Sequence, residues 1–147
     1  IRLGGVNIPS TVSIKAHSDG DIVYHAIADA ILGAIGAGDI GELFPDTERH
    51  NKNIDSSIII GTAISKALTD GYMLNNLDVT LLLESPKISE YKKEMQDNLM
   101  VLFNSLCPNN SIDQSMINIK ASTSESLGFI GRGEGITCYC ITSLRKI

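Results

Sequence analysis

Five consecutive residues, His17-Ser18-Asp19-Gly20-Asp21, stand directly before a helical pattern that carries His25. The free amides of a helix's first turn donate to short oxygen-bearing side chains and to anions. Ser18 or Asp19 is therefore expected to cap this helix, and the same stretch can hold a phosphate. Neutral imidazole is the commonest zinc ligand, and a catalytic zinc has three protein ligands and one open position. His17 and His25 are thus candidate ligands; the alternative for His25 is a half-buried helix histidine with an ordinary hydrogen-bond partner. Asp21, His25 and Asp29 recur every fourth residue, which offers His25 a carboxylate to orient its ring. His50, in a polar stretch, reads as solvated.

Further along, Asp39 and Asp46 bracket the turn Asp-Ile-Gly-Glu-Leu-Phe-Pro-Asp, anchored by Leu43 and Phe44. Carboxylates aimed by a fixed turn can hold sugar or polyol hydroxyls, and capping of the turn explains them equally well. Ala121-Ser122-Thr123-Ser124-Glu125 follows a strand pattern. Its hydroxyls and amides suit phosphate oxygens, and its carboxylate suits a magnesium ion bridging phosphates, although simple turns share this composition. Lys87, just after Pro86, can reach a phosphate or a base, or merely be solvated. Gly131-Arg132-Gly133-Glu134-Gly135 lacks the Lys-Ser/Thr of a P-loop and precedes a strand, so Arg132 and Glu134 are expected to form a structural or interface pair. No nucleophile motif is present. Positioning groups plus metal are what phosphoryl transfer requires.

These groups need a scaffold. From Asp21 to Ala37 the apolar residues Ile22, Val23, Ala26, Ile27, Ala30, Ile31, Ala34 and Ile35 make a double i, i+4 row, which predicts a helix packed on a core and stopped at Gly36-Ala37-Gly38. Strands are expected over 1–8 and 11–16 around a turn at Pro9-Ser10. Thr47 to Asn53 is polar and expected to be mobile. A second helix is expected over 55–69, capped by Asp55 and stopped by Gly71. Leu77 to Leu83 reads as a strand buried on both faces. A third helix covers 89–106 before the breaker Pro108-Asn109-Asn110, and strands follow at 116–121 and 136–144. Helices interleaved with strands imply an α+β layered domain.

At 147 residues the chain fits one domain, over 1–147, with a single core. A net charge of −5 with scattered Lys and Arg argues against nucleic-acid binding, and the lack of a long apolar run argues against a membrane span. Three cysteines make no disulfide set and fit a reducing compartment. Cys138 and Cys140 would share one strand face as small buried hydrophobes. Ile1 has no preceding Met, and no signal peptide is visible, so residues upstream are expected. The richness in Ile, Asn, Ser and Lys hints at an AT-rich coding sequence and a plastid-type organelle (apicoplast or chloroplast), with a bacterial cytoplasm as the alternative.

Four strings together are distinctive: A-H-S-D-G-D at 16–21, H-A-x-x-D-A at 25–30, G-D-I-G-x-L-F-P-D at 38–46, and E-x-L-G-F-x-G-R-G-E-G-I at 125–136. They occur in this order across nearly the whole chain. With them the chain resembles the 2-C-methyl-D-erythritol 2,4-cyclodiphosphate synthases of the non-mevalonate isoprenoid pathway. The resemblance implies a mixed β-sheet packed against helices, in a homotrimer around a threefold axis with active sites between subunits. The implied substrate is 4-diphosphocytidyl-2-C-methyl-D-erythritol 2-phosphate, whose 2-phosphate attacks the β-phosphorus and expels CMP. By match of position, His25 is a zinc ligand, and His17 lies beside the phosphates rather than on the metal. Ser18 and Thr123 contact phosphate, and Glu125 holds a magnesium or manganese ion. Asp39 and the Gly41 backbone meet the ribose, and Asp46 the methylerythritol hydroxyls. Leu83, Lys87, Ile88 and Ala121 belong to the cytidine pocket, which the neighbouring subunit contributes, and Ser122, also on the substrate, replaces the usual Thr. Phe129, Arg132 and Glu134 line an axial cavity suited to an isoprenoid diphosphate. The family's other two zinc ligands come from a D-x-H motif upstream of the first strand.

Overall fold

The computed structural model describes residues 1–16, 18–107, 109 and 111–147. Helix α1 (Ile22–Ala34) buries Val23, Tyr24, Ile27, Ala28, Ile31 and Leu32, the face that the apolar spacing predicted. Each fully buried Ile or Leu contributes about 1.5–3 kcal/mol. Neither Ser18 nor Asp19 caps the helix: Asp21 does, accepting from the Tyr24 amide at 3.2 Å. The helix ends at the expected glycines. Ala37 N donates to Leu32 O and Gly36 N to Gly33 O, with Gly36 at φ 65°, a Schellman closure that a residue with a Cβ strains to adopt.

The N-terminal strands are shorter than expected. β1 (Arg2–Leu3) and β2 (Val6–Asn7) form a hairpin turned at Gly4-Gly5, not at Pro9-Ser10, and residues 11–16 form no strand. Gly4 and Gly5 have φ of 59° and 76°, the left-handed pair that a tight hairpin turn requires. A Cβ at Gly4 would overlap the Met95 side chain.

Segment 39–46 contains the short helix α2 (Ile40–Leu43). Residues 47–53, expected to be mobile, are instead folded around a 3-10 turn (Arg49–Asn51) in which buried Asn51 donates to Pro45 O at 2.8 Å. Helix α3 (Ser56–Thr69) is capped by Asp55, and α4 (Lys92–Leu106) follows a 3-10 turn over Ser89–Tyr91. Of the expected breaker after α4, Pro108 and Asn110 lie outside the described residues.

The main sheet has the order β4-β3-β5. Central β3 (Tyr72–Leu82) runs parallel to β4 (Ile117–Ser122) and antiparallel to β5 (Thr137–Lys146), so the sheet is mixed and the fold α+β. One-turn helix α5 (Gly128–Gly131) lies between β4 and β5. Alternation along β3 sends Leu77, Val79 and Leu81 into the core, where they meet Ile27, Ile31, Leu99 and Phe103. Cys138 and Cys140 pack half-buried against that core, and burial pushes both thiols up to about 12, as befits inert small hydrophobes. The opposite face carries the Asp78–Lys120 ion pair at 2.8 Å and exposes Tyr139 and Ile141, at 60% and 75%. No helix of the described residues is long and apolar enough to cross a membrane.

Candidate functional site

Two polar clusters occupy different parts of the chain. The first surrounds His25, in the second turn of α1. Its Nε2 lies 3.1 Å from Ser18 Oγ and 2.9 Å from Ser56 Oγ. Ser56, the buried first residue of α3, donates its amide to Asp19 Oδ2 at 2.9 Å and its hydroxyl to Asp19 Oδ1. A serine hydroxyl has one proton. With that proton on Asp19, the contact to His25 requires the ring to donate from Nε2. The carboxylate behind His25 is therefore Asp19, acting through Ser56. The expected partners Asp21 and Asp29 are engaged elsewhere: Asp21 takes the Gly4, Gly5 and Tyr24 amides, and Asp29 takes the Ile40 amide at 3.1 Å. Spacing along a helix makes neighbours of side chains, but a carboxylate turns toward whichever unpaired amide it can reach.

Burial alone would raise the Asp19 carboxyl, but the Ser56 hydroxyl and amide, the Asp21 amide and the Arg2 charge hold it below its ordinary value. At Asp21 burial wins, and the carboxyl is raised despite its three amide donors.

Ser18, His25 and Asp46 line one cavity of about 260 Å³, closed by Ile40, Phe44, Ile54 and Ile59. Asp39 stands apart at the start of α2. Its Oδ1 caps the helix by accepting from Glu42 N at 2.9 Å, so the capping role weighed for it in the sequence is realised on one oxygen. Gly41 is exposed in the same short helix. His17 lies outside the described residues. His50 is exposed and pairs with Glu48 at 3.0 Å.

The second cluster forms where the parallel strands β3 and β4 end side by side. Leu83 N donates to Ser122 O at 3.0 Å, one rung beyond the strands. Leu83 and Ile88 are buried, at 4% and 2% exposed, so at these positions a ligand can meet only the backbone. Lys87, Ser122, Thr123 and Glu125 are exposed, and Ala121 half-buried. Glu125 and Ser126 hold φ of 56° and 62°, left-handed values that side chains with a Cβ adopt at a cost of about 1–2 kcal/mol each. Glu84, which sequence reasoning passed over, accepts from Ser124 N at 2.9 Å, Ser124 Oγ at 3.0 Å and Ser126 N at 3.3 Å. Ser124's amide foremost holds the Glu84 carboxyl below its usual range. Beyond this loop, Arg132 and Glu134 form the expected pair, at 2.8 and 3.2 Å, and Phe129 is half-exposed beside them on the Gly128–Gly135 segment.

No three His, Cys, Asp or Glu side chains converge on a common point among the described residues. Nε2 of His25 is also taken up by two hydroxyls. The described residues alone therefore do not make a zinc centre.

The model of the YgbB family matches residues 1–145. A 2-C-methyl-D-erythritol 2,4-cyclodiphosphate synthase of Carboxydothermus hydrogenoformans is 41% identical over 145 residues, which is 99% of this chain and 85% of that protein. The solved structure of the bifunctional IspDF from Campylobacter jejuni superposes with a TM-score of 0.91 at 41% identity, over 100% of this chain and 38% of that one. The structure of IspF from Plasmodium falciparum in complex with CDP gives a TM-score of 0.83 at 38% identity, over 98% of this chain and 82% of that one. The chain thus spans a little over a third of the bifunctional proteins it matches.

Proposed function

The chain belongs to the YgbB family, and on that premise we propose that it converts 4-diphosphocytidyl-2-C-methyl-D-erythritol 2-phosphate to 2-C-methyl-D-erythritol 2,4-cyclodiphosphate and CMP. An oxygen of the substrate's 2-phosphate bonds to the β-phosphorus. The bond from that phosphorus to the oxygen it shares with the α-phosphate breaks, and CMP leaves with that oxygen. No protein nucleophile takes part, so the protein's contribution is alignment and charge. Ser18 and Thr123, with His17 beside them, hold phosphate oxygens. Asp46 fixes the methylerythritol hydroxyls, and Asp39 and Gly41 meet the ribose. Leu83, Lys87, Ile88 and Ala121 take the cytidine, and Ser122 also meets the substrate. The observation that carries this reading is the gathering of Ser18, His25 and Asp46 around one cavity, while the cytidine-side residues sit at the β3–β4 edge and line none of it. A site completed by a second copy fits that separation. The exposed Tyr139–Ile141 face of the sheet supports a homotrimer, a single 1–147 domain from each copy meeting at the axis, with an isoprenoid diphosphate held near Phe129, Arg132 and Glu134.

Of the residues assigned to the substrate and its cation, Asp39, Asp46 and Glu125 are acidic, and Lys87 is the cation among them. A polyphosphate substrate would be repelled without added positive charge. Magnesium or manganese at Glu125, and zinc at His25 with the family's upstream D-x-H residues, would supply it. No step is assigned to either metal. The bacterial relatives favour the bacterial cytoplasm over the plastid-type organelle that composition suggested.

Phosphorus NMR of the full-length protein with its substrate should show the cyclic diphosphate and CMP appearing together. Mixing His25→Ala chains with Ala121→Trp chains should then restore turnover to a pair of inactive proteins, because some shared sites regain both intact halves. Absent CMP release overturns the activity. Absent recovery, with subunit exchange confirmed by mass spectrometry, places each site within one chain.

A further inference from the structure

We propose that Glu84 is a positioning residue that braces the Thr123–Glu125 arm against the strand end carrying Leu83, Lys87 and Ile88; this rests on the reading of Thr123 and Glu125 as the phosphate- and cation-facing groups. Among the described residues, the last backbone rung between the two strand ends is Leu83 N to Ser122 O. Beyond it the Glu84 side chain bridges them. The Ser124 and Ser126 amides, on either side of Glu125, both donate to Glu84 Oε1, and Ser124 Oγ shares its one proton between that oxygen and Leu127 O at 2.7 Å. Residues with left-handed φ at 125 and 126 relax toward the ordinary region unless the surroundings hold them. The carboxylate supplies the hold from the β3 side. From the other side, the Ser126 backbone lies so close to Gly131 that a Cβ there would overlap it. Glu125 is thus gripped through its neighbours, while its own carboxylate stays exposed. The brace also joins the cytidine-side strand end to the phosphate-side arm within one chain, so their spacing is set before substrate arrives.

All three contacts reach Oε1, which an amide side chain keeps. Glu84→Gln should therefore behave as wild type where Glu84→Ala does not. In the assembled full-length protein, Glu84→Ala should lower kcat about 10- to 100-fold, the scale expected for a reacting group displaced by about 1 Å, with CMP affinity and melting temperature unchanged. Hydrogen exchange of the peptide covering 123–127 should accelerate in Glu84→Ala and return to wild type in Glu84→Gln. Unchanged exchange in Glu84→Ala overturns the brace. Parallel losses of CMP affinity and kcat also overturn it, since they mark a general structural role. Glu125→Gln separates the brace from the reading beneath it. If Glu125→Gln loses activity while Glu84→Ala keeps it, the positioning role is wrong. If neither loses activity, the assignment of the arm to phosphate and cation is wrong.

Discussion

Asp21 and Glu84 each gather three donors, in opposite surroundings. Asp21 is wholly buried beneath the N-terminal hairpin, where it takes the amides of Gly4, Gly5 and Tyr24. Glu84 lies at the protein surface and takes two amides and a hydroxyl of the loop after β4. Burial raises the first carboxyl, and the Ser124 amide lowers the second. The same bonding does different work in the two places. Where water is excluded, the acceptor is irreplaceable and the cluster secures the fold around the His25 cavity. Where water can substitute, the acceptor selects one conformation of a loop that would otherwise sample several.

The sharpest test of that contrast is Asp21→Ala. It strands buried amides, and a loss of about 3 kcal/mol in unfolding free energy is expected by urea denaturation. A loss as small as that of an exposed substitution would erase the distinction between the two regions. Ser56→Ala asks whether the buried network is shared or rests on single members. It removes the hydroxyl linking His25 to Asp19 but leaves Asp19 the Ser56 and Asp21 amides, so about 1–1.5 kcal/mol should be lost. A cost equal to that of Asp21→Ala would show that the whole cluster fails together. The smallest effect is in pH. A carboxyl raised on folding binds its proton more tightly in the native state, so its contribution is full below the unfolded value near 3.8 and is lost as pH rises through the raised native value. Compared with Asp21→Asn, the wild-type protein should therefore lose relative stability as pH rises above 3.8. A flat difference across that range would mean the amides offset burial completely.

Helix α1 was legible from its apolar i, i+4 rows and its glycine stop, though its cap is Asp21 rather than Ser18 or Asp19, and α3 from its Asp55 cap and Gly71 stop. The strands were less so. β3 begins five residues before the expected Leu77, because Asn75 and Asn76 break the apolar pattern, while Asn75 spends its side chain on Ser143 of β5. The strand expected over 11–16 has suitable residues but pairs with no described neighbour. Ser18, His25 and Asp46 could be picked out by motif, and they share a cavity. Ser56 and Glu84 could not. Ser56 reads locally as a helix start and Glu84 as a strand end, and each makes its decisive contact with a residue 31 or 40 positions away. No local pattern encodes such a contact.

Helix α1 packs against β5, the strand formed last in chain order, and that order matters to a chain emerging from a ribosome. Val23, Ile27 and Ile31 are synthesised well before residues 137–146 exist to cover them. At about 5–20 residues per second the interval is several seconds, long on the scale of hydrophobic collapse. β3, completed at residue 82, waits about half as long with the edge that β5 will occupy unpaired. A nascent chain halted before residue 137 would show both an apolar helix face and an open strand edge, the two surfaces that chaperones bind and aggregates grow from.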